Sequence, residues 1–202
     1  MVYIIAGLGN PDPEYADTRH NTGRMVLDYL KKEKNFSKWE KRKELKALVS
    51  EGELKGKSLL LIEPDNYMNN SGESLERLKK REEEICSRSP SEHIIVVHDD
   101  LDLPIGTLRV SFDRGSGGHN GVESIIKSLK TPAFVRIRVG ISPTSSDGVI
   151  RKPKGENAVE HYVLQKFTKT EREKINQVIK TAVSATETIV EDGYDKAMRE
   201  YN

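Results

Sequence analysis

Two polar stretches carry the side chains best suited to proton transfer. GLGNPDPEYADTRHNTG (residues 7–23) gathers Asn10, Tyr15, Arg19, His20 and Asn21, and HDDLDLPIG (residues 98–106) holds Asp99, Asp100 and Asp102. Imidazole alone among side chains has an ordinary pKa near neutrality, so His20 is the candidate base. A carboxylate that accepts its N–H would orient the ring and stabilise the imidazolium as it forms, and Asp99 is the candidate for that part. The three aspartates also permit a magnesium site built from hard oxygen ligands at short spacing. Turn chemistry is a third reading, because aspartates commonly bond the backbone at strand ends.

Two further loops add neutral polar groups. EPDNYMNNSG (63–72) offers Asn66, Asn69 and Asn70, and RGSGGHNG (114–121) places glycines where backbone N–H groups can converge just ahead of a helix. Such a geometry suits a phosphate or a developing oxyanion. Gly7 and Gly9 after an apolar run suggest a dinucleotide fingerprint, but Asp12 takes the third glycine's place and Pro11 and Pro13 interrupt the helix start, so that reading is set aside. Four polar loops, one histidine–carboxylate pair and no serine or cysteine nucleophile motif point to water-mediated hydrolysis.

The elements that must position these loops follow from periodicity. Residues 2–8 read as a buried strand, and a helix follows it that Asn21 or Thr22 can cap, with Val26, Leu27 and Leu30 on one face. Residues 46–52 and 58–63 form a hairpin about Lys55-Gly56-Lys57, and 73–84 a charged, mostly exposed helix. HIIVVH (93–98) is the clearest buried strand, ending at Asp99. Residues 107–112 and 134–141 alternate like half-exposed strands, with Val122, Ile125, Ile126 and Leu129 at helical spacing between them. A long helix starts at Thr168 or Thr170, with a glutamate three residues on, and runs through Ile175 and Ile189 to Gly193; a short terminal helix can follow. Residues 142–157 have the composition of a mobile surface loop. The interleaving predicts an α/β fold, one domain over 1–202 with a central twisted mixed sheet surrounded by helices.

Composition narrows the function classes. The chain has 202 residues, 35% hydrophobic and 32% charged, with a net charge of +1, so overall charge does not point to nucleic acid. The charge is uneven, however. Segments 31–57 and 103–157 are net basic and flank a net acidic one, a pattern that could fold into a positive face for phosphates or remain solvated helix surface. Cys86 is the only cysteine, which excludes an internal disulfide and cysteine-built metal centres and fits a reducing cytosol. No apolar run approaches the roughly 20 residues of a membrane span, and no basic region precedes the first apolar stretch as in a signal peptide.

Taken in order, GLGNP (7–11), Tyr15, TRHNTG (18–23), YMNNSG (67–72), VVHDDLDLPIG (96–106), SGGHNG (116–121), FVRIRVGI (134–141) and HYVLQKF (161–167) resemble the bacterial-type peptidyl-tRNA hydrolases over nearly the whole chain. The resemblance implies hydrolysis of the ester joining a peptide to the 3′ ribose of tRNA, with His20 as base and Asp99 as its partner. It implies that Asn10, Asn69 and Asn120 hold peptide, water and the tRNA 3′ end, with Tyr15, Met68 and His119 in the same substrate-binding cleft. Arg109, Arg138 and Arg114 become candidates for tRNA phosphates. Ser111 stands where such enzymes often carry a second basic residue, for which Arg114 is the candidate substitute. No metal or organic cofactor is implied, and a cytoplasmic monomer is expected. An RNA-binding module without hydrolysis and a metal-dependent phosphohydrolase remain as alternatives.

Overall fold

Continuous β-branched runs place the centre of the sheet, because a strand covered on both faces has no polar side to spare. The computed structural model describes residues 2–81, 91–145 and 147–202. Among them are seven strands: β1 (Val2–Gly7), β2 (Glu40–Arg42), β3 (Ala47–Leu54), β4 (Lys57–Pro64), β5 (Ile94–Pro104), β6 (Leu108–Phe112) and β7 (Val135–Ser142). They form one mixed sheet in the order β2-β3-β4-β1-β5-β7-β6. β4, β1, β5 and β7 run parallel at its centre, while β3 and β6 pair antiparallel at the sides and β2 extends one edge. The expected hairpin is β3–β4, and β2 is an addition that its charged sequence did not announce.

Among the described residues six helices cover the sheet: α1 (Thr22–Glu33), α2 (Gly72–Arg81), α3 (Asn120–Leu129), α4 (Glu156–Val163), α5 (Lys169–Asp192) and α6 (Tyr194–Tyr201). One core packs Leu27 and Leu30 of α1 and Ile175, Val178 and Ala182 of α5 against Ile5, Val97 and Ile137. The other packs Leu75 and Leu78 of α2 and Val122 and Ile125 of α3 against Ile4, Ala6 and Val96. Alternate residues of β1 and β5 thus feed opposite layers, as a three-layer α/β arrangement requires. The expected helix from Glu73 stands through Arg81; its remaining residues and Cys86 lie outside the described residues.

Two features depart from the sequence reading. β7 is buried along its length except at Arg138, because one face meets α5 while on the other Arg136 Nη1 donates to the Gly115 carbonyl, Gly140 packs on Leu103 and Pro104, and Ser142 Oγ donates to the Leu101 carbonyl. In the 142–157 segment, Thr144 bridges Ile150, the Arg151 N–H donates to the Pro143 carbonyl, and Glu156 already belongs to α4. At the long helix the sequence signal is met in full: Thr168 and Glu171 form a reciprocal capping box, and Gly193 ends α5.

Candidate active site

The carboxyl ends of β1, β4 and β5 release three of the polar loops at one edge of the sheet, the usual ligand position in parallel α/β proteins. Close packing brings them together. The Leu8 N–H donates to the Val97 carbonyl (3.0 Å) and the Arg24 N–H to the Leu8 carbonyl (3.3 Å), so the start of α1 sits directly on the ends of β1 and β5. A Cβ at Gly23 would collide with the backbone of both Leu8 and Val97, and this is why TRHNTG needs a glycine there. The approach places His20, in the turn just before α1, against Asp99, two residues after Val97.

His20 Nδ1 lies 3.0 Å from Asp99 Oδ1 and 3.1 Å from Oδ2. His119 Nε2 lies 3.0 Å from the same Oδ1, and the two imidazoles are 4.9 Å apart. Asp99 is 2% exposed. Burial would raise its pKa, but facing His20 and His119 and accepting hydrogen bonds from both holds the carboxyl well below the usual carboxylate range. With Nδ1 committed to Asp99, Nε2 is the His20 nitrogen left for a molecule in the cleft.

That cleft is a cavity of about 770 Å³ whose walls include Asn10, Tyr15, His20, Met68, Asn69 and Asn120. The structure therefore brings together every residue expected there. Asn10 is fixed through its backbone and its carbonyl: its N–H donates to Asn21 Oδ1 (2.8 Å), its backbone oxygen accepts from Asn21 Nδ2 (2.9 Å), and its Oδ1 accepts the Met68 N–H (2.9 Å). Asn21 thus spends its side chain on the neighbouring loop instead of capping α1, contrary to the local expectation. Met68 Sδ rests where a Cβ at Gly121 would have to be, which locks the 67–71 turn to α3.

The glycine loop differs from expectation as well. Gly117 and Gly118 take positive φ of 61° and 83°, so glycine is needed for the turn. Two amides of the helix end do not await an anion, however; the Gly121 and Val122 N–H groups donate to His119 Nδ1. Both His119 nitrogens are therefore engaged inside the protein, and only its ring carbons are left for a substrate.

The aspartates do not converge on a cation. Asp100 Oδ2 accepts from Arg138 Nε (2.6 Å), Asp102 Oδ1 from Lys152 Nζ (2.6 Å), and Asp99 from the two histidines. Next to the cleft, a second cavity of about 520 Å³ is bordered by Asp100, Arg114, Ser116, Arg136 and Arg138. Arg136, which strand alternation assigned to an exposed face, is 2% exposed, and its Nε and Nη2 have no hydrogen-bond partner among the described residues. Burial and the neighbouring Arg138 lower its pKa to about 10, so it remains a cation. Arg109 lies outside both cavities, exposed on β6 opposite Arg138. In sequence Arg19 is one polar residue of the first loop; its guanidinium bonds both Glu171 oxygens (3.1 and 2.9 Å) and the Lys166 carbonyl, fastening the His20 turn to α5.

The peptidyl-tRNA hydrolase family model matches residues 4–202. The chain belongs to the peptidyl-tRNA hydrolase family. Among curated peptidyl-tRNA hydrolases, that of Fervidobacterium nodosum is 43% identical over 98% of this chain and 95% of its own, and that of Carboxydothermus hydrogenoformans is 41% identical over 100% and 98%. The crystal structure of the peptidyl-tRNA hydrolase from Acinetobacter baumannii superposes with a TM-score of 0.86 at 30% identity, covering 100% of this chain and 94% of that one. The protein is accordingly an enzyme, a hydrolase of peptidyl-tRNA, and the fold expected from the sequence is that of the peptidyl-tRNA hydrolases. No helix among the described residues is long and apolar enough to cross a membrane.

Proposed function

We propose that His20 is the general base of ester hydrolysis between the peptide and the 3′ ribose of tRNA. The observation that carries this reading is the pairing of His20 Nδ1 with the buried Asp99 carboxylate, which leaves Nε2 facing a cavity of substrate size. His20 Nε2 takes a proton from water as the water oxygen attacks the ester carbonyl. Asp99 stabilises the imidazolium, and the proton then passes to the departing ribose oxygen, releasing tRNA and free peptide. An aminoacyl ester is already activated and needs no covalent enzyme intermediate; a positioned base is worth roughly a hundred- to ten-thousandfold, and oxyanion donors add to it.

In this reading Asn10, Asn69 and Asn120 hold the peptide amides, the water and the 3′ end, with Tyr15 and Met68 as walls. Neutral asparagines suit peptide groups but give a free α-ammonium no anionic partner, a physical route to sparing ordinary aminoacyl-tRNA. Arg138, Arg114 and buried Arg136 around the second cavity, with Arg109 beyond it, meet tRNA phosphates, and Arg114 supplies the charge that Ser111 does not. The site of action is the cytoplasm, where peptidyl-tRNA arises, and the working form is a monomer.

The test offers the protein N-acetyl-aminoacyl-tRNA and free aminoacyl-tRNA, with and without EDTA. Release of the blocked amino acid alone, unaffected by EDTA and abolished by His20→Ala, is the expected result. Binding without turnover, or EDTA-sensitive release of phosphate, overturns it.

A further inference from the structure

His119 occupies the N-cap position of α3. Its Nδ1 accepts the N–H of Gly121 (3.1 Å) and of Val122 (3.3 Å), while its Nε2 lies 3.0 Å from Asp99 Oδ1. Two amide donors aimed at Nδ1 require a lone pair there. The ring's one proton therefore sits on Nε2 and is donated to the carboxylate. A second proton on this ring would set an N–H against two N–H groups and strip α3 of its cap, at the end of the helix where positive charge is least welcome.

We infer that His119 is a positioning residue, held by the helix cap as the neutral Nε2–H tautomer, whose donation to Asp99 Oδ1 limits how tightly Asp99 retains a proton on His20. This rests on the reading of His20 as base. A carboxylate that faces a single imidazole gives its whole negative charge to the imidazolium, and a base made too strong is already protonated at working pH. A permanent neutral donor on the same oxygen draws off part of that charge. His119 and His20 both reach Asp99, yet the fold gives only His20 a nitrogen free to take up a proton.

The groups around the trio are consistent with this division. His98 packs its ring edge-on to His119 at 4.8 Å between ring centres, and its Nδ1 lies 2.6 Å from the Asp99 carbonyl. Full burial holds His98 neutral. Tyr15, Asp100, Glu156 and Glu160 border the cavity, and none of them hydrogen-bonds either imidazole among the described residues. The same proton placement bears on metal binding. His20, Asp99 and His119 offer ligand atoms within 4.8 Å of one another. A metal on His119 Nε2 would drive the proton onto Nδ1, against the cap, so the trio is arranged as a hydrogen-bonded chain and not as a cation site.

Nitrogen-15 spectra of histidine-labelled protein read the tautomer directly and need no turnover. His119 is expected to show a bare Nδ1 and a protonated Nε2 throughout the range in which His20 titrates; a protonated Nδ1 there overturns the inference. His119→Asn keeps an acceptor at the cap but cannot reach Asp99, whereas His119→Gln can reach Asp99 but is a poor cap. The Asn variant should raise the His20 midpoint by about half a unit to one unit, in the spectra and in the acidic limb of kcat/KM. The Gln variant should leave the midpoint near the parental one while lowering Tm by about 2 to 4 °C. Equal midpoints in the parent and the Asn variant, or equal shifts in both variants, refute the idea. Should the parental protein fail to cleave blocked aminoacyl-tRNA, the role of His20 as base falls, and the spectra still decide the state of His119.

Discussion

Asn10 and Asn21 hold each other through two reciprocal hydrogen bonds, the Asn10 N–H to Asn21 Oδ1 at 2.8 Å and Asn21 Nδ2 to the Asn10 carbonyl at 2.9 Å. The pair joins the loop after β1 to the turn that carries His20. Both residues are buried, at 7% and 2% exposure, so neither bond is easily replaced by water.

Asn21→Ala removes both bonds and leaves a buried backbone N–H and carbonyl of Asn10 without partners. A loss of about 1 to 3 kcal/mol is expected. Activity should suffer mainly through KM, because Asn10 belongs to the substrate cleft while the His20–Asp99 pair is untouched. Urea denaturation together with steady-state kinetics checks this; an unchanged midpoint rules out the structural role.

Asp99→Asn keeps the size of the side chain but turns one acceptor into a donor. With that amide facing it, His20 would have to present a bare Nδ1 and carry its proton on Nε2, the nitrogen meant to receive one. A fall in kcat of about a thousandfold or more is expected, with KM altered far less. Single-turnover cleavage of N-acetyl-aminoacyl-tRNA measures it, and a loss of tenfold or less, on the order of one hydrogen bond, would count against the base mechanism.

Glu63, at the end of β4, carries a pKa raised from 4.5 to about 8. Burial is the main cause, and Arg24 opposes it only in part because its Nη1 stays 3.8 Å from Glu63 Oε2 while its Nη2 donates to the Pro64 carbonyl. Between the unfolded and folded pKa values the native chain keeps a proton that the unfolded chain has lost, so stability falls as pH rises through that window. Glu63→Gln removes the titration. Across about pH 5 to 8 the variant should lose less stability than the parent, the difference growing by roughly 1 to 3 kcal/mol. Parallel stability curves for the two proteins would contradict the assignment.

Arg114→Ala and Arg138→Ala should weaken tRNA binding in a salt-dependent way. Removing one arginine–phosphate pair reduces the slope of log affinity against log salt by about one. Arg138 also releases Asp100 from its ion pair, so its variant should show the larger effect. Titration of N-blocked aminoacyl-tRNA at several salt concentrations tests both, and parental slopes in both variants exclude the second cavity as a phosphate site.

Local rules read the elements well where the signal was itself local. Apolar runs located β1 and β5, spacing located α1, α3 and α5, and the Thr168–Glu171 capping box was visible as a pair of residues three apart. They failed where a polar side chain had a remote option. Asn21 has the chemistry of a helix cap, but Asn10 offered it two bonds. Arg136 sits at a polar position of an alternating strand, and alternation says nothing about the Gly115 carbonyl that accepts from its guanidinium. α4 was hidden because its eight residues follow a segment of Gly, Pro, Ser and Lys that reads as loop.

The sequence by itself determined the family, the α/β interleaving and the identity of the polar groups, since each of these is written in residue types, order and spacing. Only the tertiary structure decided partnership. His20 and Asp99 lie 79 positions apart and His119 another 20 beyond, and what joins them is the seating of α1 and α3 on the sheet's carboxyl edge. Which nitrogen of which histidine keeps its proton depends on donors and acceptors supplied by three separate segments, and no stretch of chain read alone contains that information.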